Sequence, residues 1–171
     1  MASQGRKIVI AVDDSIPSKE AVAWAAKTLV GNKDEVHLIS VIEAAGRPDV
    51  SSYQGDSTYL VQDGNCKPNP LLLEKRADLL KNFQSEVSKS AGTGNIKLTT
   101  LVSCIGGSAD LGRHICEYSA ENKADFVVMG SRGMGSAQRS LLGVFGLGSV
   151  SDFVSRHGNN VLIHHGEKPA K

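Results

Sequence analysis

Residues 7–12 (KIVIAV) form a nearly unbroken, largely β-branched apolar run, and that run limits the possible folds sharply. A strand with one wet face alternates apolar and polar side chains, whereas an unalternating run is covered on both faces, as in a parallel sheet between helices. Residues 36–42 (VHLISVI), 96–104, 124–129 (ADFVVM) and 160–163 read as four further strands. Between these runs the period changes. Pro17 suits a first helical turn, and Ala21, Val22, Ala25 and Leu29 then recur at helical spacing up to Gly31, a C-terminal stop. Leu73, Ala77, Leu80 and Val87 stripe a second helix over 71–88, with Leu79 and Phe83 beside them. Ser108 is placed to cap a third over 109–121, whose interior Gly112 weakens it by about 1 kcal/mol relative to alanine. A short fourth helix covers 149–156.

Strands alternating with helices predict an α/β fold: a single open five-stranded parallel sheet, Rossmann-like, with helices on both faces. At 171 residues the chain suits one domain, 1–171, in which 44–70, rich in Ser, Gly, Asp, Asn and Pro, reads as a long surface loop. Lys and Arg (19) nearly balance Asp and Glu (18), so nothing electrostatic favours nucleic acid or an anionic membrane. No apolar run approaches a membrane span, and residues 1–7 (MASQGRK) have no apolar region behind their charges, so no membrane partner and a cytoplasmic location are expected. Cys66, Cys104 and Cys116 lack zinc or redox spacing and are expected as reduced thiols, Cys104 in ordinary core packing. His37 reads as a satisfied sheet residue, and His157, His164 and His165 lack spaced partners, so no metal site is expected.

In open parallel sheets, ligands bind beyond the carboxyl ends of the strands, where strand order reverses. Two strand ends carry suitable chemistry: Ala11-Val12-Asp13-Asp14-Ser15 after the first, and the stretch after Met129, which holds six glycines before Phe153. A Walker loop needs Gly-Lys-Ser/Thr, which does not occur here. A dinucleotide fingerprint should follow the first strand, which ends instead in Asp13-Asp14. A looser phosphate cradle fits, with small residues exposing backbone N–H groups and the helix opening at Ser149 supplying partial positive charge. Asp13-Asp14-Ser15 has a plainer reading as a helix cap, and Arg132 and Arg139 read equally as solvated loop charges.

Val128-Met129-Gly130-Ser131-Arg132-Gly133, then Leu141-Leu142-Gly143 and Gly148-Ser149-Val150-Ser151-Asp152, resemble the glycine motifs of the universal stress protein family, in its ATP-binding branch. The first strand ending Ala-Val-Asp, the second reading Leu-Ile-Ser-Val and Val161-Leu162-Ile163 at the end also match, over roughly 5–165. One departure stands out. Gly143 is followed by Val144, and the Gly-Ser pair arrives five residues late, at Gly148-Ser149, so residues 144–148 look inserted.

The resemblance implies an adenine-nucleotide-binding (ATP or AMP) stress-response or regulatory protein. Asp13 would accept a hydrogen bond from base or ribose, walled by Ala11 and Val12, and the Val41 backbone would meet the adenine edge. Met129 and Gly130 would lie near the ribose. Ser131, Arg132 and Gly133 would lead to phosphates held by Gly148, Ser149, Val150 and Ser151, with any Mg2+ carried by the phosphates. Valine at Gly130 or Gly133 is expected to block the phosphate path and leave the fold largely intact. The family also implies a homodimer through the last strand, Val161, Leu162 and Ile163. Two rivals share parts of the pattern. A phosphorylated receiver domain needs an Asp ending the third strand and a Lys after the fifth, where Cys104 and His165 stand. The alternative is a slow ATP-hydrolysing enzyme of the related ATP-pyrophosphatase-like architecture, although Ser-Gly-Gly is missing near Asp13 and no general base or nucleophile is evident.

Overall fold

The computed structural model describes residues 5–44, 59–61, 66, 68–131 and 148–166. Strands β1 (Lys7–Ala11), β2 (Glu35–Glu43), β4 (Ile96–Ser103), β5 (Phe126–Gly130) and β6 (Val161–His164) stand where the apolar runs place them. Helices α1 (Ile16–Thr28), α2 (Pro70–Ala91), α3 (Ser108–Glu121) and α4 (Ser149–His157) lie between them. A further strand, β3 (Tyr59–Val61), falls inside 44–70 and pairs in parallel with β4, so that stretch is not loop throughout. Three residues are too few to show a period, and β3 exists because β4 offers it an edge. The order is β3-β4-β2-β1-β5-β6, parallel at every pair.

The absence of alternation in β1 now has its cause. Ile8, Ile10 and Val12 pack with Val36 and Leu38 against α1 and α2, while Val9 and Ala11 pack with Ile39, Val127 and Met129 against α3 and α4. Ile8, Val9 and Ile10 are all 0 % exposed, so either face of β1 is core.

Local chemistry sets the helix starts. Ser15 caps α1, its side chain accepting from the Ser18 N–H, and Pro17 sits in the first turn. Asn69 caps α2, and Gly92 ends it in the left-handed region at φ 67°. The expected Ser108 cap is corrected: Ser108 lies inside α3, whose cap residue is Gly107 at φ 86° with no side-chain cap bond. The Glu43 carboxylate accepts from the Gly107 N–H at 2.7 Å instead, placing negative charge at the helix N-terminus. Gly112 is a contact rather than a simple weakness, since a Cβ there would lie 2.6 Å from Phe153 Cδ1 of α4.

The cysteine expectation is overturned: Cys66 and Cys104 form a disulfide, leaving Cys116 as the free thiol. α2 starts and β4 ends at the carboxyl edge, so the return through this helix and strand brings together two cysteines 38 positions apart.

Buried His37 connects β2 to α3, its Nδ1 2.9 Å from the Tyr118 hydroxyl and its Nε2 2.7 Å from Glu35 Oε1. Burial pushes the imidazole below its ordinary value, against the pull of Glu35. Hydrogen bonds from Lys97 and His37 hold Glu35 down to about 2. In both cases the unfolded chain binds the proton more tightly, so acid favours unfolding. The stability contributed by His37 is therefore expected to be complete above pH ~6.5 and to fall as the unfolded histidine begins to charge, and that contributed by Glu35 to fall below pH ~4.5. His37→Gln should flatten the first of these slopes, measured as melting temperature against pH; an unchanged slope would place its origin elsewhere.

Candidate functional site

β1 is the point at which strand order reverses, with β2 on one side and β5 on the other. Ala11 lies opposite Met129, so continuing the register takes Val12 and Asp13 out beside Gly130 and Ser131. Ala11, Val12, Met129 and Ser131 are each under 9 % exposed, and Asp13 is half-buried at the opening they form.

Val41 reaches the same crevice through strand parity. The Ile39 carbonyl faces β1, where it accepts from the Val12 N–H at 2.8 Å. Two residues on, the N–H and C=O of Val41 face the same way, and β1 has ended by then. A donor and an acceptor therefore look out side by side at the carboxyl edge. That pair matches the edge of a planar heterocycle.

Asp13 has a local duty as well. Its Oδ1 accepts from the Ser15 N–H at 3.0 Å and from the Ser15 hydroxyl, while its own N–H donates to Ser18 Oγ at 2.9 Å. The helix-cap reading is thus correct for Ser15, with Asp13 bracing the cap. No hydrogen bond falls on Asp13 Oδ2 among the described residues. Asp14 is exposed and faces Arg76 Nη1 of α2 at 3.4 Å.

The expectation that valine at Gly130 would leave the fold largely intact fails. A Cβ there would stand 2.7 Å from the carbonyl carbon and oxygen of Pro17 and 3.0 Å from the Ser18 nitrogen. The glycine lets the first turn of α1 lie directly on β5, so the space beside it belongs to the fold. One residue on, the chain is tied at three points. The Ser131 N–H donates to the His164 carbonyl at 2.9 Å, and the Ser131 carbonyl accepts from the Gly148 N–H at 2.6 Å and from the Ser151 hydroxyl at 2.9 Å.

Those contacts dock α4 with its N-terminus against the end of β5. Its first intrahelical bond runs from the Asp152 N–H to the Gly148 carbonyl at 2.8 Å, which leaves the Ser149, Val150 and Ser151 N–H groups without helical partners. Ser149 is exposed there, and Gly148 and Val150 are half-buried. Ser151 is 2 % exposed, and its hydroxyl also reaches the Gly148 carbonyl, so its side chain fixes the turn. Arg132, Gly133 and Gly143, and residues 144–147 of the apparent insertion at 144–148, lie outside the described residues.

The three large apolar side chains left exposed among the described residues also lie at this edge: Ile16 opening α1, Leu71 near the start of α2 and Ile105 after β4. The Arg76–Asp14 pair was not visible in the sequence, because it is the α1–α2 packing that brings the two residues together. No group of His, Cys, Asp and Glu among the described residues is arranged to hold a metal, and none of the described helices is long and apolar enough to cross a membrane.

No curated protein matches this chain in sequence. Among solved structures, a universal stress protein in complex with cAMP is 22 % identical at a TM-score of 0.57, covering 95 % of this chain and 98 % of its own. A universal stress protein from Archaeoglobus fulgidus is 19 % identical at a TM-score of 0.62, over 92 % of this chain and 97 % of its own. One from the same organism in complex with dAMP is 18 % identical at 0.57, over 94 % and 98 %. Identities this low establish the fold alone. The family model described as "Universal stress protein family" matches residues 5–163, and this chain belongs to that family.

Proposed function

We propose that this chain binds an adenine nucleotide, ATP or AMP, and acts as a stress-response or regulatory protein whose occupancy other proteins read. The observation that carries the reading is the Gly148 N–H bond to the Ser131 carbonyl, which brings a helix N-terminus beside Asp13 at the reversal point of the sheet. Val41 reads the adenine edge, and Asp13 Oδ2 accepts from the ribose or base beside Ala11, Val12, Met129 and Gly130. Ser131, Arg132 and Gly133 lead to the phosphates, which sit against Gly148 and are held by the N–H groups of Ser149, Val150 and Ser151, and the phosphates carry Mg2+. The relatives bound to cAMP and dAMP support an adenine mononucleotide core to the ligand.

The protein is proposed to form a homodimer through Val161, Leu162 and Ile163, because β6 pairs with β5 on one side only among the described strands. A cytoplasmic location is proposed together with a Cys66–Cys104 bond that forms and breaks with redox conditions, since cytosolic thiols are otherwise kept reduced.

Titration of ATP, ADP and AMP, each with and without Mg2+, tests the reading. Ligand at about 100 times its dissociation constant should stabilise the fold by roughly 2.7 kcal/mol. Asp13→Asn keeps the Oδ1 bonds to Ser15 and removes the acceptor at Oδ2, so it should weaken binding by about 1–3 kcal/mol without unfolding the turn. Flat titrations and an unmoved melting temperature with millimolar ligand would end the proposal. Light scattering on the same samples, with Leu162→Lys as control, tests the dimer, which a monomer at tens of micromolar would exclude.

A further inference from the structure

Two serines at the start of α1 both bond to Asp13. The Ser18 hydroxyl accepts from the Asp13 N–H at 2.9 Å, and the Ser18 N–H donates to Ser15 Oγ at 3.3 Å. The Ser15 hydroxyl and N–H both donate to Asp13 Oδ1, the N–H at 3.0 Å. These bonds close a ring that runs from residue 13 to 18, on to 15 and back to 13. A carboxylate oxygen only accepts, so the single Ser15 hydroxyl proton points at Asp13 and the Ser15 oxygen takes the Ser18 N–H. Hydrogen bonds linked in this way polarise one another, and one that ends on a carboxylate is of the stronger kind.

A helix cap needs less than this. Ser15 satisfies the Ser18 N–H whichever residue stands at position 13. The remaining bonds act on Asp13. They fix its backbone N–H and one carboxylate oxygen, while Oδ2 takes no hydrogen bond among the described residues. The turn that does the fixing is itself seated against β5: Ser18 is 4 % exposed, and its nitrogen stands 3.0 Å from where a Gly130 Cβ would lie. Asp13 is thus oriented by α1, and α1 by the end of β5, before anything binds. A side chain held in place beforehand loses no rotamer freedom when a ligand arrives.

We infer that Ser15 and Ser18 are positioning residues of the nucleotide site, holding the Asp13 carboxylate in the orientation from which it accepts a hydrogen bond from the ligand. This rests on the nucleotide-binding reading, with Asp13 as a contact to base or ribose, and the experiment separates the two. AMP and ATP are titrated calorimetrically into wild type, Ser15→Ala, Ser15→Thr and Ser18→Ala, and into Asp13→Asn with and without Ser15→Ala. Every titration is run below the melting transition of its variant. Flat wild-type curves overturn the nucleotide reading and this inference together. Wild-type binding that Asp13→Asn leaves unchanged overturns the inference and spares nucleotide binding itself. Given a loss in Asp13→Asn, Ser15→Ala and Ser18→Ala should each weaken AMP and ATP by one common factor, about 2- to 10-fold. Ser15→Thr keeps the hydroxyl and the cap, and should stay within about twofold of wild type. In the Asp13→Asn background, Ser15→Ala should change affinity by less than about twofold, because the acceptor it orients is gone. Unchanged affinity in Ser15→Ala, a loss for ATP alone, or an undiminished loss in the Asp13→Asn background would reduce Ser15 to a helix cap and overturn the inference. Should Ser18→Ala fail to fold, the Ser15 variants decide.

Discussion

Gly130→Val is expected to lose roughly 3 kcal/mol or more of folding stability, with or without nucleotide, and Gly130→Ala a large part of that. The physical reason is a backbone collision. The added carbon would sit 2.7 Å from the Pro17 carbonyl group, and a helix backbone, unlike a flexible side-chain tip, has no rotamer into which to retreat. The damage would spread, because Ser18 in the same turn holds the Asp13 N–H. Urea midpoints of ligand-free wild type and Gly130→Ala are the measurement. A wild-type midpoint in Gly130→Ala, combined with lost nucleotide binding, would restore the sequence-based view of Gly130 as a wall of the phosphate path.

Breaking the Cys66–Cys104 bond is expected to have a comparable effect. For a cross-link between positions 38 apart, loop-closure entropy predicts about 4 kcal/mol, lost on reduction by a dithiol or in Cys66→Ser. The bond ties the approach to α2 to the end of β4, so its loss should loosen the carboxyl edge first. Thiol titration of unfolded, unreduced protein should find one reactive group per chain, Cys116. Three reactive groups, or an unshifted melting curve under reductant, would show that the cross-link does not contribute in solution.

Much of the candidate site was legible because its signals are local. Asp13 follows the β1 run directly, and Gly148-Ser149 stands immediately before a helical period, so each announces its place by neighbours in sequence. The expectation for Val41 came from the resemblance, and only the sheet shows that its backbone groups face the side of β1, since strand parity decides this. The Arg76–Asp14 pair carried no local signal, since it joins α2 to the turn before α1. The cap-bracing duty of Asp13 was also beyond the sequence, where a cap and a ligand contact look identical. Hydrogen-bond geometry shows Ser15 on Oδ1 alone.

By itself the amino-acid order determined the period of each element, the parallel class of the sheet and the carboxyl edge as the place for chemistry. Period, burial of both strand faces and turn chemistry act over a few residues, and each leaves its mark on consecutive letters. What only the tertiary structure decided acts between segments. β3 has no period of its own and exists as a strand through β4. Gly130 and Gly112 are small because another helix lies against them, at Pro17 and at Phe153. Cys66 meets Cys104 because α2 and β4 run in opposite directions between the two edges of the sheet, returning the chain to the edge it left. Contacts of this kind depend on how helices settle on a twisted sheet, and no stretch of sequence carries that information alone.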